Sequence, residues 1–160
     1  MTTNEPGITY AKNIDLTPKP GKVYWAKTNR EWREEFIYFL LVDRFHDDLD
    51  RNPIDSAVRQ NGFGTSEELQ KICGGTLKGI TNHLEYIRDL GCTALWLSPV
   101  FENNSSSYHG YAIQDFLNVD SRFGTKEDLA TLVDTAHAMD IRVFLDIVLH
   151  HSGDNWYYPG

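Results

Sequence analysis

An α/β fold made of the first three or so β/α units of a (β/α)8 barrel is what this sequence predicts, and three observations lead there. Apolar runs suited to buried parallel strands alternate with amphipathic helical patterns. No glycine-rich phosphate turn follows the first run, as a dinucleotide-binding open sheet would require. The polar and unusual residues gather after the C-terminal ends of the apolar runs, where barrel enzymes keep their sites.

The elements follow in order. Residues 1–27 read as an irregular leader, with Pro6, Gly7, Pro18, Pro20 and Gly21 interrupting any regular pattern. Residues 28–160 read as the barrel portion. Thr28 opens Thr-Asn-Arg-Glu31, a capping-box spacing that predicts a short helix. Phe36 to Val42 is a continuous apolar run, which predicts a strand buried on both faces. Residues 43–75 form a long polar connection, and Glu67 to Ile72 is its candidate helix. Leu77, Ile80, Leu84, Ile87 and Leu90 recur at spacings of three and four, predicting one helix that Gly91 ends. Thr93 to Ser98, stopped by Pro99, predicts a second strand. Glu102 to Ser107 reads as a polar loop. Thr125 with Asp128 supplies an N-cap and an early acidic residue for a further helix. Its apolar face is Leu129, Leu132, Val133 and Ala136. Ile141 to Val148 predicts the third strand.

A formal charge of -8 argues against a nucleic-acid partner, which would favour a basic face. No run approaches the roughly 20 apolar residues of a membrane helix, and Met1 to Lys22 holds no apolar secretory core. A cytoplasmic protein without a membrane partner is therefore expected. Cys73 and Cys92 make no disulfide framework and are expected as reduced thiols, Cys92 as a small buried residue.

Two motifs carry chemistry. Tyr108-His109-Gly110-Tyr111 follows the second strand, and Asp146-Ile-Val-Leu-His150-His151 ends the third. Together with Ile37-Tyr38 through Val42-Asp43-Arg44-Phe45, and Cys73-Gly-Gly-Thr-Leu-Lys-Gly-Ile80 through Trp96-Leu-Ser-Pro99, they resemble the N-terminal part of the α-amylase family of glycoside hydrolases and transglycosidases. The order and spacing of these segments make the match specific, and it runs from Phe36 to Gly160.

The resemblance implies a retaining glycosidase or transglycosidase acting on an α-linked glucan, oligosaccharide or disaccharide. Such an enzyme needs two carboxyl groups roughly 5–5.5 Å apart, one a nucleophile and one an acid/base. In the family both lie on later strands, so they are expected beyond Gly160 and no residue here is assigned as catalytic. The resemblance implies substrate-binding roles instead: Tyr111 as an aromatic platform, His151 as a donor to a sugar hydroxyl, His109 lining the same subsite, and Asp146, placed in the third strand, supporting the site floor. Asp115 is expected to anchor its own loop.

Two positions depart from the family. His150 stands where an asparagine often ligates calcium, and imidazole is a poor ligand for that ion. Ala112 stands where starch-acting members often carry tryptophan, which implies a lost stacking surface. A calcium ion is instead implied in the loop Asp47, Asp48, Asp50, Asn52, with a solvated acidic loop as the alternative. The polypeptide on its own is expected to be inactive and poorly stable, because three strands of eight leave an open edge. The alternatives to the enzyme reading are a non-catalytic amylase-like binding or interaction protein and an inactive truncated product.

Overall fold

The computed structural model describes residues 17, 20, 21, 29–48, 71–153 and 155. The leader over residues 1–27 lies outside the described residues apart from Thr17, Pro20 and Gly21, and so do Thr28, Asp50, Asn52 and residues 67–70 of the candidate helix. Lys71 and Ile72 are described and are not helical.

Three parallel strands form the main sheet in the order β1 (Ile37–Leu40), β2 (Ala94–Leu97), β5 (Arg142–Leu145). Tyr38, Leu95 and Val143 stand in register, as do Phe39, Trp96 and Phe144. Parallel neighbours of this kind need long crossovers, and helices supply them. The first crossover carries α1 (Val42–Phe45), α2 (Leu77–Asn82) and α3 (Leu84–Asp89). The second carries an antiparallel pair, β3 (Phe101–Asn103) with β4 (Ile113–Val119), and then α4 (Lys126–Ala138).

The core lies between the sheet and the helices. Leu40, Leu95 and Leu97 from the strands meet Leu77, Ile80, Leu84, Ile87, Leu132 and Ala136 from α2, α3 and α4. The spacings of three and four seen in the sequence are therefore the buried stripe of these helices. Thr125 caps α4 as expected: its hydroxyl accepts the Asp128 N–H at 3.1 Å, and the Asp128 carboxylate accepts the Thr125 N–H at 2.8 Å.

Five expectations change. First, β1 is not buried on both faces. The described α-helices carry the core on one face, so Ile37, Phe39 and Trp96 on the other are 47%, 48% and 42% exposed, and only Trp32 of the 3-10 turn is described reaching Phe144 there. Second, the helix expected from Leu77 to Leu90 breaks at His83, whose φ of -118° and ψ of 16° leave the helical region. Side chains compete for the backbone there: the Thr81 hydroxyl donates to the Leu77 carbonyl and His83 Nδ1 bonds the Gly79 carbonyl, both at 2.9 Å. Third, the short helix expected near residue 30 is a 3-10 turn over Trp32–Glu34 begun by Glu31, while Thr28 lies outside the described residues. The Glu34 carboxylate accepts the Glu31 N–H at 3.1 Å.

Fourth, the stretch read as a polar loop begins inside a strand. Phe101–Asn103 pairs with β4 through shifted register, and that irregularity hides the alternation that marks a strand. Fifth, all three main strands are shorter than expected. Pro99 cannot donate to a ladder, and β2 ends two residues before it. Asp146 consequently sits just past the end of β5 rather than within it, its N–H still donating to the Leu97 carbonyl at 3.1 Å.

Buried charge fastens the crossovers. Asp43, 2% exposed, accepts the N–H groups of Cys73 and Gly74. Arg44 beside it pairs with Asp43 at 3.3 Å, touches the Cys73 thiol and lies 4.1 Å from the Tyr108 ring centre, a cation–π contact. The end of β1 is thus tied to the loop that carries the first motif.

Candidate functional site

The two motifs meet. Tyr111 donates its phenolic hydrogen to Asp146 Oδ2 at 2.9 Å across 35 residues of sequence. Tyr111 belongs to the loop between β3 and β4, and Asp146 to the C-terminal end of β5, so the contact lies on the face where the sequence placed the site. Burial, and then the hydrogen bond and charge of Asp146, push the Tyr111 hydroxyl up to about 12. The phenol is therefore protonated at neutral pH and serves as a donor.

Two histidines hold the Tyr111 peptide from opposite sides. The Tyr111 N–H donates to His109 Nδ1 at 2.9 Å. His151 Nε2 donates to the Tyr111 carbonyl, also at 2.9 Å, because a carbonyl can only accept. His109 stands between the Tyr108 and Tyr111 rings, with centroids at 5.2 and 5.7 Å. All four sequence candidates therefore assemble, and both histidines bind the backbone of Tyr111.

His109 is neutral by construction. Its Nδ1 accepts a hydrogen bond, and burial lowers its affinity for a proton. A histidine whose folded pKa is depressed stabilises the fold above its unfolded value, roughly 6.5, and that contribution is lost as pH falls through the lower folded value. Melting temperature followed from pH 7.5 to 5 should therefore show a loss on the acid side. His109→Gln should flatten that limb, and an acid limb unchanged by the substitution would remove His109 as its cause.

The loop is set by small and polar residues. Gly110 has φ +85°, and a Cβ there would stand 2.3 Å from the Pro99 carbonyl oxygen. Ala112 lines an open cavity of about 480 Å³ together with Asn104, Ser106, Ser107, Tyr108 and His109. Asp115 lies within β4 rather than in a loop as expected, and its carboxylate accepts the Leu117 N–H at 2.7 Å and the Asn118 side-chain amide at 2.6 Å.

Sequence reasoning missed the support beneath this loop. Asp120, 1% exposed, binds Arg122 through both oxygens, Oδ1 to Nε at 2.9 Å and Oδ2 to a terminal nitrogen at 2.5 Å. Arg122 reaches on to the carbonyls of Ser105 and Asn104 at 3.1 and 3.3 Å. Asp120 also accepts the Asn103 N–H at 3.1 Å, and Asn103 Oδ1 accepts the Ala112 N–H at 3.0 Å. The only trace in the sequence is Asp-Ser-Arg at the end of an apolar stretch.

The implied calcium loop is described only in part. Asp48 pairs with Lys78 at 3.3 Å, and Asp50 and Asn52 lie outside the described residues. Calcium takes six to eight oxygens, and the described half of the loop does not by itself provide such a cage. Among the described residues no three His, Cys, Asp or Glu side chains converge on one point. Among them, too, no helix is long and apolar enough to cross a membrane.

A partial parallel α/β barrel, with a Tyr–Asp pair and two histidines gathered beyond its strand ends, is the class of fold this chain adopts. The family model for the α-amylase catalytic domain matches residues 39–159, and the chain belongs to this family. Alpha-amylase 2 of Dictyoglomus thermophilum is 42% identical over 151 residues, covering 92% of this chain and 25% of that protein. Among solved structures, the α-amylase of Geobacillus thermoleovorans complexed with acarbose superposes with a TM-score of 0.65 at 44% identity, covering 79% of this chain and 25% of that one. The γ-cyclodextrin glucanotransferase of alkalophilic Bacillus clarkii superposes with a TM-score of 0.62 at 41% identity, covering 76% and 19%. The chain thus spans about a quarter or less of the length of these proteins.

Proposed function

We propose that residues 28–160 form the N-terminal part of a retaining glycosidase or transglycosidase acting on α-linked glucans or oligosaccharides. In this reading Tyr111 is the platform for the reacting sugar, His151 and His109 line the same subsite, and Asp146 supports its floor. The nucleophile and the acid/base come from residues beyond Gly160. One observation carries the reading: the Tyr111–Asp146 contact joins the two motifs into one site, with both histidines fixing the Tyr111 peptide. The relatives include a hydrolase and a glycosyl transferase, so either outcome of a glycosyl-enzyme is compatible with it.

The test uses the polypeptide extended through its downstream coding sequence and assayed on maltooligosaccharides. Tyr111→Ala should lower kcat by roughly 100-fold, the loss expected when an aligned contact to the reacting group is misplaced. The melting temperature should shift only by a few degrees. An unchanged kcat/KM would end the platform role, and absence of any cleavage or transfer by the parent would end the enzyme reading.

Two finer readings accompany the proposal. The acidic composition of the loop at Asp47, Asp48, Asp50 and Asn52 supports a bound calcium ion, which added Ca2+ should reveal as a raised melting temperature abolished by Asp47→Asn. The unbridged thiols of Cys73 and Cys92 support a reducing, cytoplasmic compartment, which cell fractionation tests.

A further inference from the structure

We propose that His150 and His151 form a two-imidazole binding site for a borderline transition-metal ion, Zn2+ or Cu2+. The argument begins with the Tyr111 carbonyl. It accepts from His151 Nε2 at 2.9 Å, so that nitrogen carries the proton and Nδ1 of the neutral ring carries a lone pair. A backbone carbonyl fixing one nitrogen while the other stays bare is how metal-ligating histidines are oriented.

The bare Nδ1 lies 3.1 Å from Nε2 of His150. The two rings are nearly perpendicular, at 84°, with centroids 4.5 Å apart, so they are not stacked away from a shared ligand. With metal–nitrogen distances of about 2.0–2.1 Å, this separation subtends about 100° at an ion, between octahedral and tetrahedral angles. The hydrogen bond between the two nitrogens holds one proton. His150 is exposed, and moving its proton to Nδ1 leaves both facing nitrogens bare with no net loss of protons. The ion then replaces a hydrogen bond, and water completes its coordination.

The donor set selects the ion. Imidazole nitrogen suits zinc and copper, with copper bound more tightly in the usual order. Calcium and magnesium prefer oxygen and gain little here. The second histidine pair, His46 and His83, has its rings stacked, with centroids 3.9 Å apart at 39°, and serves as the comparison. The site's existence does not depend on the sugar reading. Its consequence does: an ion on His151 stiffens the ring that holds Tyr111, so occupancy should inhibit a sugar-active parent.

The test titrates untagged protein with ZnCl2, and separately CuCl2, against a chromophoric chelator in a non-coordinating buffer. The expected result is one equivalent bound, copper tighter than zinc, and no displacement by CaCl2. His150→Asn should weaken zinc at least tenfold, while His83→Gln should change it less than twofold. Histidine NMR resonances of the wild type should shift at residues 150 and 151. Absence of zinc and copper binding, binding unaffected by His150→Asn, or loss caused by His83→Gln would each overturn the site. Where His150→Asn fails to fold, the wild-type resonances decide: shifts confined to other histidines overturn it. Because the readout is metal binding, it stands or falls apart from maltooligosaccharide activity.

Discussion

Asp120→Ala should be among the most damaging single substitutions at the described residues, costing about 3–5 kcal/mol. That is the usual penalty for breaking a buried ion pair from one side. Asp120 is 1% exposed and accepts bonds from the Arg122 guanidinium, the Arg122 N–H and the Asn103 N–H. Alanine removes every acceptor at once and leaves a partly buried guanidinium, whose proton Asp120 now holds more firmly than usual, without its carboxylate. The loss is large beside the roughly 5–15 kcal/mol stability of an ordinary domain. For a chain of this size it corresponds to a fall of about 10 °C in melting temperature.

The damage should also reach the site. Arg122 holds the carbonyls of Asn104 and Ser105, and Asn103 holds the Ala112 N–H, so the Tyr108 loop is pinned at both ends through Asp120. Asp120→Asn keeps the shape and one acceptor, and should lose less. The double substitution Asp120→Ala with Arg122→Ala should cost less than the sum of the two singles, because each single strands a charge that the double removes. Additive losses in a thermal or denaturant melt would mean that the pair does not act as a unit.

The outer frame of the fold was legible in the sequence because its signals are local. Apolar runs gave β1, β2 and β5, and Thr125 with Asp128 gave the start of α4. What was not legible depends on geometry between distant residues. A run such as Phe36 to Val42 looks the same whether one or both faces are covered, and the exposed Phe39 records the difference. The β3–β4 pairing was hidden by its register shifts, and the break at His83 by a helical period that continues through it.

For the site, the motifs were readable and the bonds were not. The roles of Tyr111, Asp146, His109 and His151 are those the family resemblance of their motifs implies, but nothing in the sequence says that both histidines grip the Tyr111 backbone. Asp120 and Arg122, two residues apart at a strand end, carry no periodic pattern at all. Their importance comes from burial and from the loop carbonyls they reach.

Gly110→Ala should disable the site while leaving most of the fold in place. Two costs add. An alanine at φ +85° occupies a left-handed conformation, worth about 1–2 kcal/mol against L-residues. Its Cβ would also stand 2.3 Å from the carbonyl oxygen of Pro99, buried backbone two residues beyond β2 that cannot easily retreat. Gly91 separates the two, since it has φ +83° and nothing within 4 Å of the added carbon. Gly91→Ala should lose only the conformational part. The further loss in Gly110→Ala measures the clash with Pro99.

Relief of that clash must move the Tyr108 loop, and with it the Tyr111–Asp146 bond. The phenol reports this directly. A tyrosine raised to about 12 in the fold contributes stability that is complete below its unfolded value, roughly 10, and that is lost as pH climbs through about 12. Burial also raises the Tyr38 hydroxyl, so in a 295 nm titration the wild type should show a late transition that Tyr111→Phe reduces by one tyrosine. Gly110→Ala should return that tyrosine toward 10, and in a complete parent enzyme should lower kcat/KM by about 100-fold, as a displacement near 1 Å does. If the late transition survives undiminished in Gly110→Ala, the loop has accommodated the methyl group without moving Tyr111, and the tight passage at Pro99 does not set the geometry of the site.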